Sequence, residues 1–220
     1  MNLYGQTEAW EHACVKTRRN LKTRKERLGQ FSFGRKDKIL DLGCGDGLNL
    51  KILWNMGIHH ITGVDISKEL LKEAKLQVPK AIFFAASAEN LPFQPNHFDA
   101  VLVDSVFHHL LRYDKALREI RRVLKPGGVL CFLEPHRSLL RSIIDFICLL
   151  PIANYIPVLR ERSISYKGEI DLMRHWLATE EEFYSWLDRL NMKEVFCRTS
   201  LMSKVPEELD LLGLTCVNGC

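Results

Sequence analysis

The chain has 220 residues, 46% of them hydrophobic, and a formal charge of +4, which is enough apolar material to build the core of one ordinary domain. Its seven cysteines, Cys14, Cys44, Cys131, Cys148, Cys197, Cys216 and Cys220, show no C-x-x-C pair and no metal-like spacing to histidine; they argue against a disulfide scaffold or a metal site and for reduced, mostly buried thiols. The first 20 residues lack the apolar stretch of a secretory leader, and no segment offers about 20 clean apolar residues, so a cytoplasmic protein without a transmembrane helix is expected.

In chain order, residues 1–36 read as a basic, helical N-terminal segment. Lys16, Arg18, Arg19, Lys22, Arg24, Lys25 and Arg27 fall within twelve residues. Such a block is a solvated helix face, or it holds nucleic-acid phosphates or anionic head groups. Nucleic-acid binding through Lys16 to Arg27 is the minority reading, because no aromatic residue is interleaved for base stacking; peripheral membrane contact stays open.

Strand-length apolar runs then alternate with helix-period segments: KILDL (38–42), HITGVD (60–65), AIFFA (81–85), DAVLVD (99–104) and GVLCFLE (128–134). Alternation of this kind predicts parallel strands joined by helices. Ala116, Leu117, Ile120, Val123 and Leu124 form one apolar helix stripe, and Lys125-Pro126-Gly127-Gly128 is expected to end that helix and turn the chain back into the sheet.

Residues 135–178 are far longer than an ordinary connection of about five residues. They contain the apolar run 142–159, broken by Asp145, Pro151 and Pro157. A cap over a binding site, a lipid-facing patch and a packed helix pair all suit this segment; the cap is taken. Thr179 and Glu182 make a capping-box pattern that predicts a helix start, and segments 192–198 and 209–217 supply two more strands.

The chemistry sits in Ile39-Leu40-Asp41-Leu42-Gly43-Cys44-Gly45-Asp46-Gly47. Glycines two apart after a buried strand allow a sharp turn and a close ligand approach. A dinucleotide fingerprint would need glycine at position 48, which is Leu48. The loop is therefore G-x-G-x-G, and it resembles motif I of the class I S-adenosylmethionine (SAM)-dependent methyltransferases. Four segments spanning 39–134 match that family's order. The resemblance is closest to its small-molecule group, which includes ubiquinone, sterol and natural-product methylases.

The resemblance implies an α/β, Rossmann-like, seven-stranded, mostly parallel sheet with helices on both faces and a helical cap insertion after strand five. It is read as one domain: 1–36 basic segment, 37–134 SAM-binding core, 135–178 cap, 179–220 final helix and strands. It also implies that the loop 41–47, including Gly43, Cys44, Gly45 and Gly47, wraps the amino-acid end of SAM, with Asp41 at the ammonium. Physically, a carboxylate at the strand end neutralises a cation while glycine N–H groups are expected to meet the ligand's carboxylate.

Asp65, 22 residues after Gly43, can take both ribose hydroxyls, as acidic residues do at this place in nucleotide-binding sheets. Ser67 suits the N-cap of the next helix, and Ile66 is expected to flank the adenine. Ala-Ala-Ser-Ala-Glu-Asn-Leu-Pro-Phe (85–93) resembles the family segment that usually begins with aspartate; Ser87 stands in that place, which leaves Ser87 and the backbone of Ala88 as adenine contacts. Asp104 ends the fourth strand, where ligands collect in open sheets.

The absence of Asn/Asp-Pro-Pro-Tyr there argues against base and glutamine N-methyltransferases. His136, Glu134 and His108 are the candidate proton-handling groups, with His109, Tyr155, Tyr166 and His175 behind them. The expected activity is methyl transfer from SAM to a small, hydrophobic or partly hydrophobic acceptor. An RNA-modifying enzyme and a SAM-binding protein that does not methylate remain the rivals.

Overall fold

The computed structural model describes residues 21–135, 139–199 and 212–219; the N-terminal charges Lys16, Arg18 and Arg19, and His136, lie outside them. The elements are α1 (Leu21–Leu28), β1 (Ile39–Leu42), α2 (Leu48–Asn55), β2 (Ile61–Asp65), α3 (Lys68–Gln77), β3 (Ile82–Ala85), β4 (Phe98–Asp104), α4 (Tyr113–Val123), β5 (Leu124–Pro135), α5 (Leu139–Leu149), α6 (Pro157–Arg189), β6 (Met192–Thr199) and β7 (Leu212–Gly219). Short 3₁₀ turns at Phe107–His109 and Pro151–Tyr155 fill two of the connections.

The strands lie in the order β3-β2-β1-β4-β5-β7-β6. β1 to β5 pair in parallel, whereas β7 runs antiparallel to β5 and β6 antiparallel to β7. The order reverses at β1, which has β2 on one side and β4 on the other. In an open α/β sheet that reversal leaves a crevice beyond the carboxyl ends of the strands, and ligands bind there.

Period-two alternation explains the two cores. Leu40, Leu42, Val101 and Val103 face one side, where Ala116, Leu117, Ile120 and Val123 of α4 pack with Trp176, Phe183 and Leu187 of α6. Ile39, Ala100 and Leu102 face the other, against Leu28, Leu50, Leu53 and Leu71. Each fully buried Leu or Ile contributes roughly 1.5–3 kcal/mol relative to exposure. The α4 stripe read from sequence is buried as expected, every member at 0% exposure. Phe183 is the hinge of an aromatic cluster, its ring centroid within 4.7–5.7 Å of those of Phe107, Phe132, Tyr113 and Trp176.

Two local expectations are corrected. Thr179 does not start a helix, because α6 runs unbroken through it for 33 residues. Its hydroxyl bonds the His175 carbonyl at 2.9 Å and meets the Tyr113 hydroxyl at 2.8 Å. A threonine bonding back one turn fits a helix interior as well as a capping pattern does. Lys125-Pro126-Gly127-Gly128 follows the helix end but lies within β5: pairing begins at Phe98↔Leu124 and resumes at Ala100↔Val129, so these residues form an outward bulge, with Gly127 at φ 74°.

Cys44, Cys131 and Cys148 are buried free thiols. Among the described residues no helix is long and apolar enough to cross a membrane, and no cluster of His, Cys, Asp and Glu could hold a metal ion.

Candidate functional site

The loop after β1 is shaped by its glycines. Gly43, Gly45 and Gly47 all adopt positive φ, 74°, 52° and 84°, a region that side chains with a Cβ avoid. A Cβ on Gly43 would lie 2.2 Å from Val106 Cγ2, and one on Gly47 would lie 2.9 Å from Ala74 Cβ. The loop then enters α2, whose buried Leu48, Leu50 and Leu53 fix it to the core.

The backbone donors of this loop serve the loop itself. Gly43 and Cys44 N–H both donate to the Val64 carbonyl (2.7 and 3.0 Å), and Gly47 N–H donates to the Cys44 carbonyl (2.9 Å). Gly45 N–H donates to Asp65 Oδ2 at 2.8 Å. The N–H groups of residues 43, 44, 45 and 47, expected to meet a ligand's carboxylate, are engaged in this structure by hydrogen bonds within the loop and to β2.

Three acids end three adjacent strands. Asp41 is fully buried, and neither of its carboxyl oxygens completes a hydrogen bond, although the Asn49 side chain lies near enough to favour its ionised form. Burial first, and repulsion from Asp104 second, push its pKa up to about 8. Leaving such a group unsatisfied in a core costs on the order of 1–3 kcal/mol, and a fold that keeps one calls for an explanation. Asp65 uses one oxygen for Gly45 and the other for Ser67 N–H at 2.9 Å, and burial raises its pKa. A carboxylate has about four lone-pair sites, so acceptor capacity remains for two hydroxyls. Ser67 caps α3 as expected, its hydroxyl accepting from Leu70 N–H.

Asp104 completes the set. Its Oδ2 pairs with Arg24 Nη1 at 3.1 Å and accepts from Asn49 Nδ2 at 3.3 Å, and Ser105 Oγ donates to its Oδ1 at 3.1 Å. Arg24 Nη1 also donates to Asn49 Oδ1 at 3.1 Å. The sequence reading missed Arg24 and Asn49 as site residues. Arg24 sat among seven clustered charges with nothing to single it out, and Asn49 looked like an ordinary helix residue.

Of the adenine-side candidates, Ala88 is buried and Ile66 is exposed, while the Ser87 hydroxyl accepts from Glu89 N–H at 3.2 Å and so shapes its own turn. Of the proton-handling candidates, Glu134 and His108 meet. Glu134 Oε1 accepts from Val106 and Phe107 N–H (2.7 and 2.6 Å), and Oε2 lies 2.7 Å from His108 Nδ1. Both residues are buried. The carboxylate thus braces the loop after β4 and fixes the His108 ring. The His109 ring lies tilted against that of His108, centroids 4.0 Å apart, and burial, with repulsion from His108 second, holds its pKa well below the ordinary value. Tyr155 is exposed at 85%, and His175 packs 6.4 Å from the Tyr113 ring.

A parallel sheet with a reversal point, a cradle of positive-φ glycines beside it, and a carboxylate at the end of each of β1, β2 and β4 define the class I SAM-dependent methyltransferase fold. The residues fit that cofactor: Asp41, whose oxygens complete no hydrogen bond, suits a cation, and the cradle leaves space that any Cβ would fill. Residues 40–132 match the methyltransferase domain family.

Among its relatives, the demethylmenaquinone methyltransferase of Thermotoga maritima is 38% identical over 99 residues, covering 44% of this chain and 43% of that protein. The chain spans less than half the length of the curated relatives it matches. Among solved structures, a TehB-like SAM-dependent methyltransferase from Corynebacterium glutamicum superposes with a TM-score of 0.62 at 18% identity, covering 96% of this chain and 98% of the other. A geranyl diphosphate C-methyltransferase from Streptomyces coelicolor, bound to Mg²⁺, geranyl diphosphate and S-adenosyl-L-homocysteine, gives 0.62 at 12% identity, covering 94% and 82%. Likeness at this identity supports the fold alone.

Proposed function

We propose that this chain is a SAM-dependent methyltransferase acting on a small, hydrophobic or partly hydrophobic acceptor. The observation that carries the reading is Asp41, fully buried, without a completed hydrogen bond on either oxygen, and placed beside the glycine cradle. Bound SAM would supply an electrophilic methyl group on its sulfonium. The protein's own work is to hold, align and dry the site. Asp41 neutralises the cofactor's ammonium, Asp65 accepts from the ribose hydroxyls, Ala88 and Ile66 flank the adenine with Ser87 beside them, and Asp104 lines the methionine end.

If the acceptor must lose a proton, His108 is the better placed group. Glu134 Oε2 fixes its Nδ1, so the carboxylate orients the ring and the far nitrogen handles the proton. Glu134 itself is spent on two backbone N–H groups, and His136 is the alternative.

The acceptor class rests on residues 135–178, which we read as the cap. Their outer surface inverts the usual arrangement: Ile143 (48% exposed), Phe146 (63%) and Ile152 (57%) face outward, while Asp145 is buried. Apolar side chains left in water beside a buried acid suit an apolar acceptor, or the lipid surface that holds one. The named substrates of two similar proteins, demethylmenaquinone and geranyl diphosphate, are of this partly apolar kind. A cytoplasmic, peripheral enzyme fits these features. The RNA reading is weakened because Arg24, one of the basic block, is engaged by Asp104 and Asn49.

Calorimetric titration of SAM against wild type and Asp65→Ala tests the cofactor site. Wild type binds, and the variant loses about 100-fold in affinity, the loss of two charge-assisted hydrogen bonds. Equal binding by both proteins would refute the assignment. Incubation with methyl-labelled SAM and a lipid extract tests the activity: label in an extracted small molecule supports methyl transfer, and SAM binding with no label transferred to any fraction favours the non-methylating rival.

A further inference from the structure

We infer that Arg24, reaching in from the N-terminal helix α1, is the residue that holds the carboxylate at the methionine end of SAM. The inference rests on the SAM reading above and adds a residue that neither the G-x-G-x-G loop nor the strand-end acids supply.

The methionine end of SAM carries an ammonium and a carboxylate on one carbon. Asp41 and Asp104 suit the ammonium and repel the carboxylate, and Asp65 adds a third negative group. The obvious donors for a carboxylate, the N–H groups of Gly43, Cys44, Gly45 and Gly47, are already bonded to Val64, Asp65 and Cys44. A cofactor seated here therefore needs a cation within reach of the same acids. Arg24 is that cation, with Nη1 at 3.1 Å from both Asp104 Oδ2 and Asn49 Oδ1.

The way Arg24 is held strengthens the case. Its side chain is only 18% exposed, so the guanidinium is set into the site and does not wave from the surface. Both contacts fall on Nη1, which leaves the Nε and Nη2 N–H groups as a planar fork matched to a carboxylate. Asn49 fixes the geometry from α2, donating to Asp104 with its nitrogen and accepting from Arg24 with its oxygen. The same lattice thus orients the acid for the ammonium and the arginine for the carboxylate. It also ties α1 to cofactor binding, because the helix supplies one wall of the site.

Three probes separate this role from its competitors. SAM has both charged groups, decarboxylated SAM keeps the ammonium and sulfonium but lacks the carboxylate, and 5′-methylthioadenosine lacks the amino-acid end altogether. Binding is measured calorimetrically, with thermal unfolding run beside it. Wild type is expected to favour SAM over decarboxylated SAM by at least about 10-fold. Arg24→Ala is expected to lower SAM affinity about 10- to 100-fold while decarboxylated SAM and 5′-methylthioadenosine change less than about 3-fold.

Arg24→Lys, which keeps the charge and loses the fork, is expected to fall between the two. Equal losses for SAM and decarboxylated SAM would make Arg24 a support for the acids and overturn the inference. A gain for SAM would make it a competing plug and overturn it too. If Arg24→Ala does not fold, the wild-type preference and Arg24→Lys decide: no preference for the carboxylate in wild type overturns the inference. Failure of wild type to bind SAM at all is a different result, since it removes the cofactor reading itself.

Discussion

The carboxyl ends of β1, β2 and β4 and the outer face of α5 with the Pro151–Tyr155 turn depart from folding chemistry in opposite directions. At the strand ends three acids are drawn together, and both carboxyl oxygens of Asp41 are buried without completing a hydrogen bond. On α5 and the turn, Ile143, Phe146 and Ile152 stand in water while Asp145 is buried. The rest of the described sheet obeys the ordinary rules, with alternating faces, a capped α3 and a dense aromatic cluster. Local violations that survive in an otherwise consistent fold tend to mark where a ligand supplies the missing half. The two violations differ in kind, and so do the missing halves: a cation for the first, apolar surface for the second.

The largest expected effect breaks the first region by geometry. Gly43→Ala places a methyl group 2.2 Å from Val106 Cγ2 at φ 74°, adding a left-handed backbone penalty to the clash. A loss of about 3 kcal/mol in denaturant unfolding is expected, together with loss of SAM binding. Near-native stability would show that the loop is looser than its contacts imply.

Asp41→Asn should have an intermediate effect of opposite sign. The Asp41 carboxyl has a pKa of 3.8 when unfolded and about 8 when folded. Between those values the folded state holds a proton that the unfolded state lacks, so the penalty is absent below pH 3.8 and grows as pH rises towards 8. Asparagine carries no such penalty. The variant should nearly match wild type at pH 4 and exceed it increasingly as the pH rises, by at least about 2 kcal/mol at pH 8, while SAM affinity falls. A stability difference that is flat across this range would remove the buried-acid account.

The smallest expected effect sharpens the second region. Phe146→Ser removes an exposed ring, so unfolding should shift by less than about 0.5 kcal/mol. Methylation of an apolar acceptor should fall, read as a raised KM with SAM affinity unchanged. An unchanged KM would separate this face from acceptor binding.

How much of this was legible in the sequence follows from range. Asp41, Asp65 and Asp104 could be found because each ends an apolar strand run, and strand ends are local signals. Ser67 was legible for the same reason. Arg24 was not, since its partners Asn49 and Asp104 lie 25 and 80 positions away and helix α1 must fold onto α2 before they meet. Glu134 was singled out correctly by its place after β5, but its two bonds to the loop at Val106 and Phe107 depend on how β4 and β5 lie side by side. Thr179 misled because one spacing serves two opposite uses of a hydroxyl. The run 142–159 was legible as apolar, yet hydrophobicity alone could not say that its outward face would carry Phe146 and its inward face Asp145.

The unbroken α6 has a mechanical consequence. Its C-terminal half is clamped in the core by Trp176, Phe183 and Leu187, while its first turn at Pro157 adjoins the outward apolar turn. Pro157 and Trp176 are 19 positions apart, a rod of about 28 Å. The Pro151–Tyr155 turn and α5 pack against this helix, so it acts as a lever: a tilt of about 5° at the clamp carries its far end, and the turn with it, about 2.4 Å. Small changes of packing around Phe183 would therefore be read out, enlarged, at the apolar end.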